Sequence, residues 1–518
     1  MANMEVMREV CSIAEEFAHS SVSKWSRYAT SFLAPVTVSC VHAPFSCVFT
    51  ARHQHIVSPS VYGSPVSGVH TKTVMPEFIQ IIILRTFALD EYIYQLWNIY
   101  ARVKNEGVVQ PIVLGLNRSD YMLHVSPEIK EDQLHRLESI KNAAKFEVCE
   151  DKAFWSGLWL RQVEVNMIAT SFCGLSPRMI SQHRQVLALM GFTPEQQKRV
   201  PECDSTNRFA DAMARATDLY AEHVRDLLHQ STDLVPCILV IVSQRETNIY
   251  DQRALLGALL IRHPRIRILI RTFDDLVPNT KRMVINEQRR LFVDGQEISL
   301  IYYRHGYIPE HFPSDEIWEV KYQLERSRAI KCPCVQYLLA NTKLIQAALS
   351  QPTQLARFID PNCENFPLLL STFARQYPLS DAFGLISAGD VDQLLEECRS
   401  NPGRFVLKPQ REGGGNNYFG SEIVEQLEHV LKNGLGATYV LMERFYPYIV
   451  KNHVLGWENP DIERRVVLEL GVFGTIIARA DQIILNEEAG HLLRTKCADS
   501  NEGGIVAGFG CLDSPFAV

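Results

Sequence analysis

The chain has 518 residues, 52 Lys and Arg against 59 Asp and Glu for a net charge of −7, with 46% hydrophobic and 21% charged residues. That length corresponds to two or three domains, and that composition is globular, which excludes disordered, collagenous and coiled-coil chains. An acidic excess lacks the basic field of a non-specific nucleic-acid binder, and no apolar run approaches the ~18 residues of a membrane span, so neither nucleic acid nor membrane is an expected partner.

The 13 cysteines are scattered, with no CxxC pair. The closest two, Cys332 and Cys334, are poorly spaced for a zinc site or a disulfide, so the set reads as free thiols of a reducing compartment. The start, MANMEVMREV, carries early acidic residues and no apolar segment, unlike a signal peptide. A cytoplasmic location is expected, or secretion if a leader was removed ahead of Met1.

Residues 4–33 predict a helix, because Val6, Val10, Ile13, Ala14 and Phe17 recur at steps of three and four. Residues 34–74 mix Pro, Ser, Gly, His and Val without a period and read as extended or loop-rich. Residues 75–104 return to a helical pattern. Ile112 to Leu114 reads as a strand ending in a polar turn, 115–121, that holds Arg118. Gln162 to Asn166 alternates and reads as a strand with Glu164 and Asn166 on one face. From 235 the pattern changes: strand 238–242, helix 251–262, strand 265–271, then a hairpin joining 291–293 to 298–304 through Asp294-Gly295. We place residues 235–335 as an inserted α/β domain, flanked by 1–234 and 336–518. Helix 390–400, strand 404–408, strand 439–443 and strand 466–477, interrupted at Gly471, complete an α/β fold.

The most informative string is LKPQREGGGNN, residues 407–417. Three consecutive glycines let the backbone bend and bring N–H donors to a ligand. Lys408, ending the preceding strand, can reach a phosphate. Glu412 would repel phosphate unless a divalent cation bridges them, so the string predicts a Mg-nucleotide clamp rather than a flexible surface loop. It matches neither the Walker nor the dinucleotide glycine pattern. Glu164 and Asn166 are plausible hard-cation ligands, or a solvated strand face. Arg118 suits a carboxylate or acyl phosphate, or a structural ion pair with Asp120. Arg494 and Lys496 face one way, and the glycine-rich stretch 503–508 can close over them as a flap; the alternative is an ordinary basic strand and loop.

These strings, with GLNRSDYM (115–122), QVEVN (162–166), ERSRAIKCP (325–333), ELGVFG (469–474), GHLLRTK (490–496) and LDSPFAV (512–518), resemble the eukaryotic glutathione synthetase family of the ATP-grasp superfamily. The resemblance covers about 105–518 in islands. It implies an ATP-grasp fold, ATP and two Mg²⁺ as cofactors, γ-glutamylcysteine and glycine as substrates, and a homodimer. Carried over by position, Lys331, Lys408, Gln410, Arg411, Glu412, Gly413, Gly414, Gly415, Asn416 and Asn417 would hold the ATP phosphates. Met442, Glu443, Arg444, Phe445, Glu469 and Lys496 would line the adenosine side, and Phe419 and Glu502 belong to the same set. Glu164, Asn166 and Glu412 would bind the metal ions. Arg118, Ile168, Ala169, Thr170, Ser171, Glu246, Thr247, Asn248, Gln252, Arg304, His305, Gly306, Tyr307 and Arg494 would hold the dipeptide and glycine, with Ile505 and Val506 over the glycine end. Arg118, Arg494 and Lys408 would stabilise the moving charge.

The chain departs from the family's pattern in places. Ile168-Ala169-Thr170-Ser171 replaces ISAS, Phe419 replaces a Tyr, Glu502 an Asp, Val506 an alanine, and Arg444-Phe445 a Lys-Ile type pair. No metal ligand or phosphate lysine is lost. The expectation is therefore a glutathione synthetase. A ligase with a changed acceptor or donor, or a non-catalytic nucleotide-binding homologue, stays open.

Overall fold

The computed structural model describes residues 30–32, 86–125, 158–229, 234–363, 365–380, 388–411, 416–455, 464–480, 482–500, 505 and 510–516. Most of the helix expected over 4–33, and all of the stretch 34–74, lie outside them. Thr30–Phe32, expected at the end of that helix, is instead a strand, because its backbone pairs with 453–455. Of the helix expected over 75–104, residues 75–85 lie outside the described residues; Glu91–Asn105 is helical, and Asp90 caps it by accepting the Ile93 N–H.

Strands are numbered in chain order. The largest sheet has seven, in the order β15 (Ile449–Leu455), β1 (Thr30–Phe32), β18 (Gly510–Asp513), β17 (Gln482–Cys497), β16 (Arg464–Arg479), β2 (Ile112–Val125) and β3 (Leu158–Asn166). Two local readings change here. The polar stretch 115–121 is not a turn but the middle of β2, and Gly471 does not interrupt β16, which stays paired on both sides.

Alternation places Ile112, Leu114 and Leu116 of β2 on one face, where they pack with Phe473, Ile477 and Leu492 against the helix Ser205–Leu228. Further along that face the same alternation presents Arg118, Asp120 and Met122. The apolar half anchors the sheet, and the polar half is left for a cavity.

A second sheet is parallel, in the order β10 (Ile330–Cys332), β9 (Leu300–Tyr303), β4 (Cys237–Ile241) and β5 (Arg267–Arg271). The helix Ile249–Arg262 is the crossover between β4 and β5. Asp294 and Gly295 both have positive φ, 47° and 76°, and join β7 (Leu291–Val293) to β8 (Gln296–Glu297) as expected of a tight hairpin. The second arm is only β8, however. Leu300–Tyr303 is buried throughout and leaves for the parallel sheet. A small antiparallel sheet, β6 (Met283–Ile285), β7 and β8, closes this region.

A third, antiparallel sheet has the order β11 (Gln376–Pro378), β14 (Tyr439–Glu443), β12 (Phe405–Pro409) and β13 (Tyr418–Phe419). Phe405, Leu407 and Leu441 on one face pack against Leu394 and Cys398 of the helix Ala388–Ser400 and Ile423, Leu427 and Val430 of the helix Glu422–Lys432. The opposite face carries Val406 and Met442, in cross-strand register, with Phe419 opposite Val406 on the other side. Ala374 and Phe445 complete this apolar patch.

Candidate active site

A cavity of about 370 Å³ lies between the polar half of the large sheet and the apolar patch of the third sheet. The large sheet contributes Arg118, Met122, Glu164, Asn166, Val467, Glu469, Arg494 and Lys496. The third sheet contributes Val406, Lys408, Phe419 and Met442, continued by Glu443, Arg444 and Phe445. Among the described residues seven cations line it, Arg118, Lys343, Lys408, Arg411, Arg444, Arg494 and Lys496, against Glu164, Glu443 and Glu469. That imbalance in a partly desolvated cleft suits a polyanion.

The floor is organised by Asp120, which is 0% exposed. Its carboxylate takes both Nε and Nη2 of Arg118, at 2.6 and 2.8 Å, and Nη2 of Arg494 at 2.8 Å. Asn166 Nδ2 donates to the same Oδ2 at 2.9 Å. Arg494 also pairs with Glu469, and Arg118 Nη1 donates to Ser171 O. Arg118 lies directly over Gly471, where a Cβ would stand 2.7 Å from its Cδ and 2.9 Å from Asp120 Oδ1. The glycine is there to let the arginine cross the strand. The two readings of Arg118 therefore hold together: it is ion-paired with Asp120 and it lines the cavity.

Burial pushes the Glu164 carboxyl up, but Lys343, Lys408, Arg494 and Arg118 together hold it below the ordinary carboxylate value. Glu469 is raised by burial, with Arg494 opposing. For the Arg494 guanidinium, burial works against the charge, and Asp120, Glu469 and Glu164 outweigh it. Among the described residues no group of three His, Cys, Asp or Glu side chains is placed to hold a metal. Glu164 and Asn166 offer two hard oxygen donors. Glu412, the third expected donor, lies outside the described residues, as do Gly413, Gly414, Gly415, Glu502 and Val506.

The root of the glycine-rich loop is fixed from two sides. Gln410 Oε1 accepts the backbone N–H of Lys343 at 2.9 Å, and Lys343 Nζ donates to Arg411 O. The Arg411 guanidinium pairs with the buried Asp90, the cap of the helix Glu91–Asn105. Asn416, Asn417 and Ile505 line the cavity. The Arg444 guanidinium sits 5.6 Å from the centre of the Phe419 ring.

The expected substrate residues divide into two groups. Ile168, Ala169, Thr170 and Ser171 line the cavity together with Phe172. Of residues 246–252 and 304–307, Arg304 meets the back of that loop and Asn248 reaches it through Asp251. Arg304 donates to Thr170 O at 2.8 Å and Ser171 Oγ at 3.2 Å. The buried Asp251 accepts from the Phe172 and Gly174 N–H groups, both at 2.7 Å, and from Asn248. Glu246 accepts from Asn248 N and from Gln252, with Thr247 between them in the chain. His305 stacks on His311 at 3.7 Å, Gly306 N donates to His311 Nδ1, and Tyr307 lines a small neighbouring pocket with Ile168 and Arg411. None of these is among the cavity-lining residues. Lys331 is not brought there either: it is 4% exposed, its ammonium donates to Ser327 O at 2.5 Å, and burial lowers its pKa to about 8. Sequence reasoning missed Lys343, which no local pattern marks. It saw Asp120 only as a partner for Arg118.

A family model described as eukaryotic glutathione synthase, ATP binding domain, matches residues 68–517. The chain belongs to the eukaryotic glutathione synthase family. It is 35% identical over 441 residues to glutathione synthetase of Homo sapiens, covering 85% of this chain and 82% of that one. It is 32% identical over 487 residues to the chloroplastic glutathione synthetase of Arabidopsis thaliana, covering 93% of this chain and 80% of the relative. Among solved structures, a glutathione synthetase-like effector from Globodera pallida in its apo form matches with a TM-score of 0.58 at 17% identity, over 86% of this chain and 85% of that one. The last match bears on the fold alone. This glutathione synthase family member is an ATP-grasp protein, with two sheets closing on a cavity and a smaller α/β unit inserted between their segments.

Proposed function

We infer that this cavity joins γ-glutamylcysteine to glycine at the expense of ATP. The carboxylate of the dipeptide's cysteine attacks the γ-phosphorus and ADP leaves, giving an acyl phosphate. The glycine amine then attacks the acyl carbon, loses a proton, and phosphate departs. A carboxylate resists nucleophiles, so activation is what the nucleotide supplies. The protein's part is positioning and charge stabilisation.

The observation that carries this reading is the Asp120-centred arginine pair beside Glu164 in a cation-rich cavity. Arg118 and Arg494 would hold the reacting carboxylate and the phosphoryl oxygens, in an orientation fixed before substrate arrives. Lys408 and Lys496 would neutralise the triphosphate. Val406, Met442, Phe419 and Phe445 form an apolar slot suited to a planar base. Residues 168–171 would hold the dipeptide, with 246–252 and 304–307 supporting them from behind, and Ile505 would lie near the glycine end. Glu164 is kept ionised by its cationic neighbours, and the Asn166 amide nitrogen is turned to Asp120, which leaves its oxygen as the donor atom. Both fit Mg²⁺, with Glu412 as third ligand; two bound ions would supply charge neutralisation on the phosphates.

Incubation with ATP, Mg²⁺, γ-glutamylcysteine and glycine tests the reading. Glycine-dependent ADP release supports it. Release only with another amino acid points to a changed acceptor, for which Ala169 and Val506 are the residues to examine. Nucleotide binding without release means a non-catalytic homologue. We further propose residues 235–335 as the substrate-binding unit, a homodimer, testable by light scattering, and a cytoplasmic location, testable by fractionation. Among the described residues no helix is long and apolar enough to cross a membrane.

A further inference from the structure

We propose that His311 is a positioning residue for the dipeptide: it holds the turn 305–307, and through Arg304 and Tyr307 that turn sets the wall the dipeptide meets. The inference rests on the ligase reading above and deepens it, since neither the resemblance nor any motif assigns His311 a role.

His311 ends the short helical turn Pro309–His311, which follows β9. Its Nδ1 accepts two backbone N–H groups, from Gly306 at 3.1 Å and from Tyr307 at 3.3 Å. Two donors aimed at one ring nitrogen require that nitrogen to be unprotonated, so the ring is neutral with its proton on Nε2. Burial, with His305 adding to it, lowers its pKa to about 4 and keeps it in that state. The ring also stacks on His305, with centres 3.7 Å apart, and meets the edge of Tyr307 at 4.6 Å. From another side Tyr92 Oη donates to Gly306 O at 3.1 Å. A Cβ on Gly306 would stand 3.1 Å from Phe273 and 3.2 Å from Phe312, so the turn has no slack there either.

The turn held in this way joins two parts of the site. Just before it, Arg304 is bonded to Thr170 O and Ser171 Oγ, on the loop that lines the cavity. At its end, Tyr307 borders the small pocket with Ile168 of that loop and with Gln410 and Arg411. Without His311, two buried backbone N–H groups lose their acceptor and the turn relaxes to find another. Arg304, Tyr307 and the loop 168–171 would shift with it. A grip on the dipeptide that is equal before and during reaction shows in KM rather than in kcat.

The test is steady-state ADP release by the full chain, with ATP, Mg²⁺ and glycine saturating and γ-glutamylcysteine varied. The proteins are wild type, His311→Phe, His311→Asn and Tyr92→Phe, each checked for folding by circular dichroism. His311→Phe keeps a ring to stack on His305 but has no acceptor, whereas His311→Asn keeps an acceptor near the Nδ1 position but has no ring. KM for the dipeptide should rise roughly 5- to 50-fold in His311→Phe, with kcat within about threefold. In His311→Asn it should stay within about threefold of wild type. Tyr92→Phe, which loses only the hydroxyl on Gly306 O, should raise KM roughly 3- to 10-fold. A parent-like KM in folded His311→Phe, an equal loss in His311→Phe and His311→Asn, or a greater loss in His311→Asn would each overturn the proposal. So would a fall in kcat without a rise in KM. If His311→Phe does not fold, a parent-like KM in Tyr92→Phe or a raised one in His311→Asn overturns it. A folded wild type with no turnover of the dipeptide would instead overturn the ligase reading itself.

Discussion

Gly471→Ala offers the sharpest check on how Arg118 is positioned. The glycine has an ordinary extended conformation in β16, so alanine costs little in the backbone, and its pairings with Leu492 and Asp120 can persist. The new Cβ, however, would lie 2.7 Å from Arg118 Cδ, 3.1 Å from its Cγ and 2.9 Å from Asp120 Oδ1. Carbon atoms pack at about 3.5–4.0 Å, so the arginine must lift off the sheet by roughly 1 Å. That displacement breaks the two-point pairing with Asp120 and moves the guanidinium relative to the other groups on the floor. A misplacement of this size costs about 100-fold in rate, close to 3 kcal/mol, which also matches the loss of a charge-assisted hydrogen bond. Steady-state ADP release should show kcat/KM for the dipeptide down by ~30- to 100-fold. Affinity for a non-hydrolysable ATP analogue should stay within about threefold and the melting temperature within a few degrees. A folded alanine variant with parent-like kcat/KM would refute the argument that the glycine exists to seat Arg118.

Asp120→Asn removes the charge that both arginines share; breaking such a buried network should destabilise the fold by about 3 kcal/mol in urea titrations and lower kcat more than it raises KM for ATP. Glu164 titrates below the ordinary carboxylate value, so its ionised form is fully present above that value and is lost only as pH falls through the depressed pKa. Removing a cation in Lys408→Met should raise that pKa, and the acid limb of Mg²⁺ binding, followed with the nucleotide analogue, should move to higher pH; an unmoved limb contradicts the assignment. His491 is held neutral by burial, with its pKa lowered from 6.5 to about 4. Its contribution to stability is complete above pH 6.5 and is lost as pH falls through 4, worth up to about 3 kcal/mol. The unfolding free energy of His491→Leu should therefore fall less steeply over that interval than that of the wild type. Glu412→Gln should strongly reduce turnover while leaving circular dichroism unchanged, and normal turnover would remove Glu412 from the metal set.

Local patterns in the chain were most legible where a face was apolar. The strands around 405–409 and 439–443, the helix Ile249–Arg262 and the Asp294-Gly295 turn follow from periodicity and turn chemistry alone. Periodicity misled where the sheet borders the cavity. Residues 115–121 look like a turn because Asn117, Arg118, Ser119 and Asp120 are polar, yet all four are buried within β2. The sheet can bury them because Arg494 and Asn166, on other strands, satisfy Asp120. Gly471 looked like a break for the same reason: its cause is a side chain on a neighbouring strand. The end of the hairpin was misplaced because the partner of Leu300–Tyr303 is β4, about 60 residues earlier in the chain. Lys343 and Lys331 exchange prominence for a similar reason. Nothing within a few residues of either says which ammonium reaches the cavity.

The loop 168–172 has a wider consequence. Ala169 and Phe172 adopt positive φ, 49° and 77°, a backbone state that costs a non-glycine residue about 1–2 kcal/mol. What offsets that cost comes from elsewhere in the chain: Asp251 on the crossover helix and Arg304 just after β9. The contour offered to an incoming molecule is thus cast partly by a module that braces the loop from behind. Drift in that module can reshape which molecules are accepted while every catalytic side chain stays in place, so the place to look for altered selectivity among relatives is the mould, not the cast.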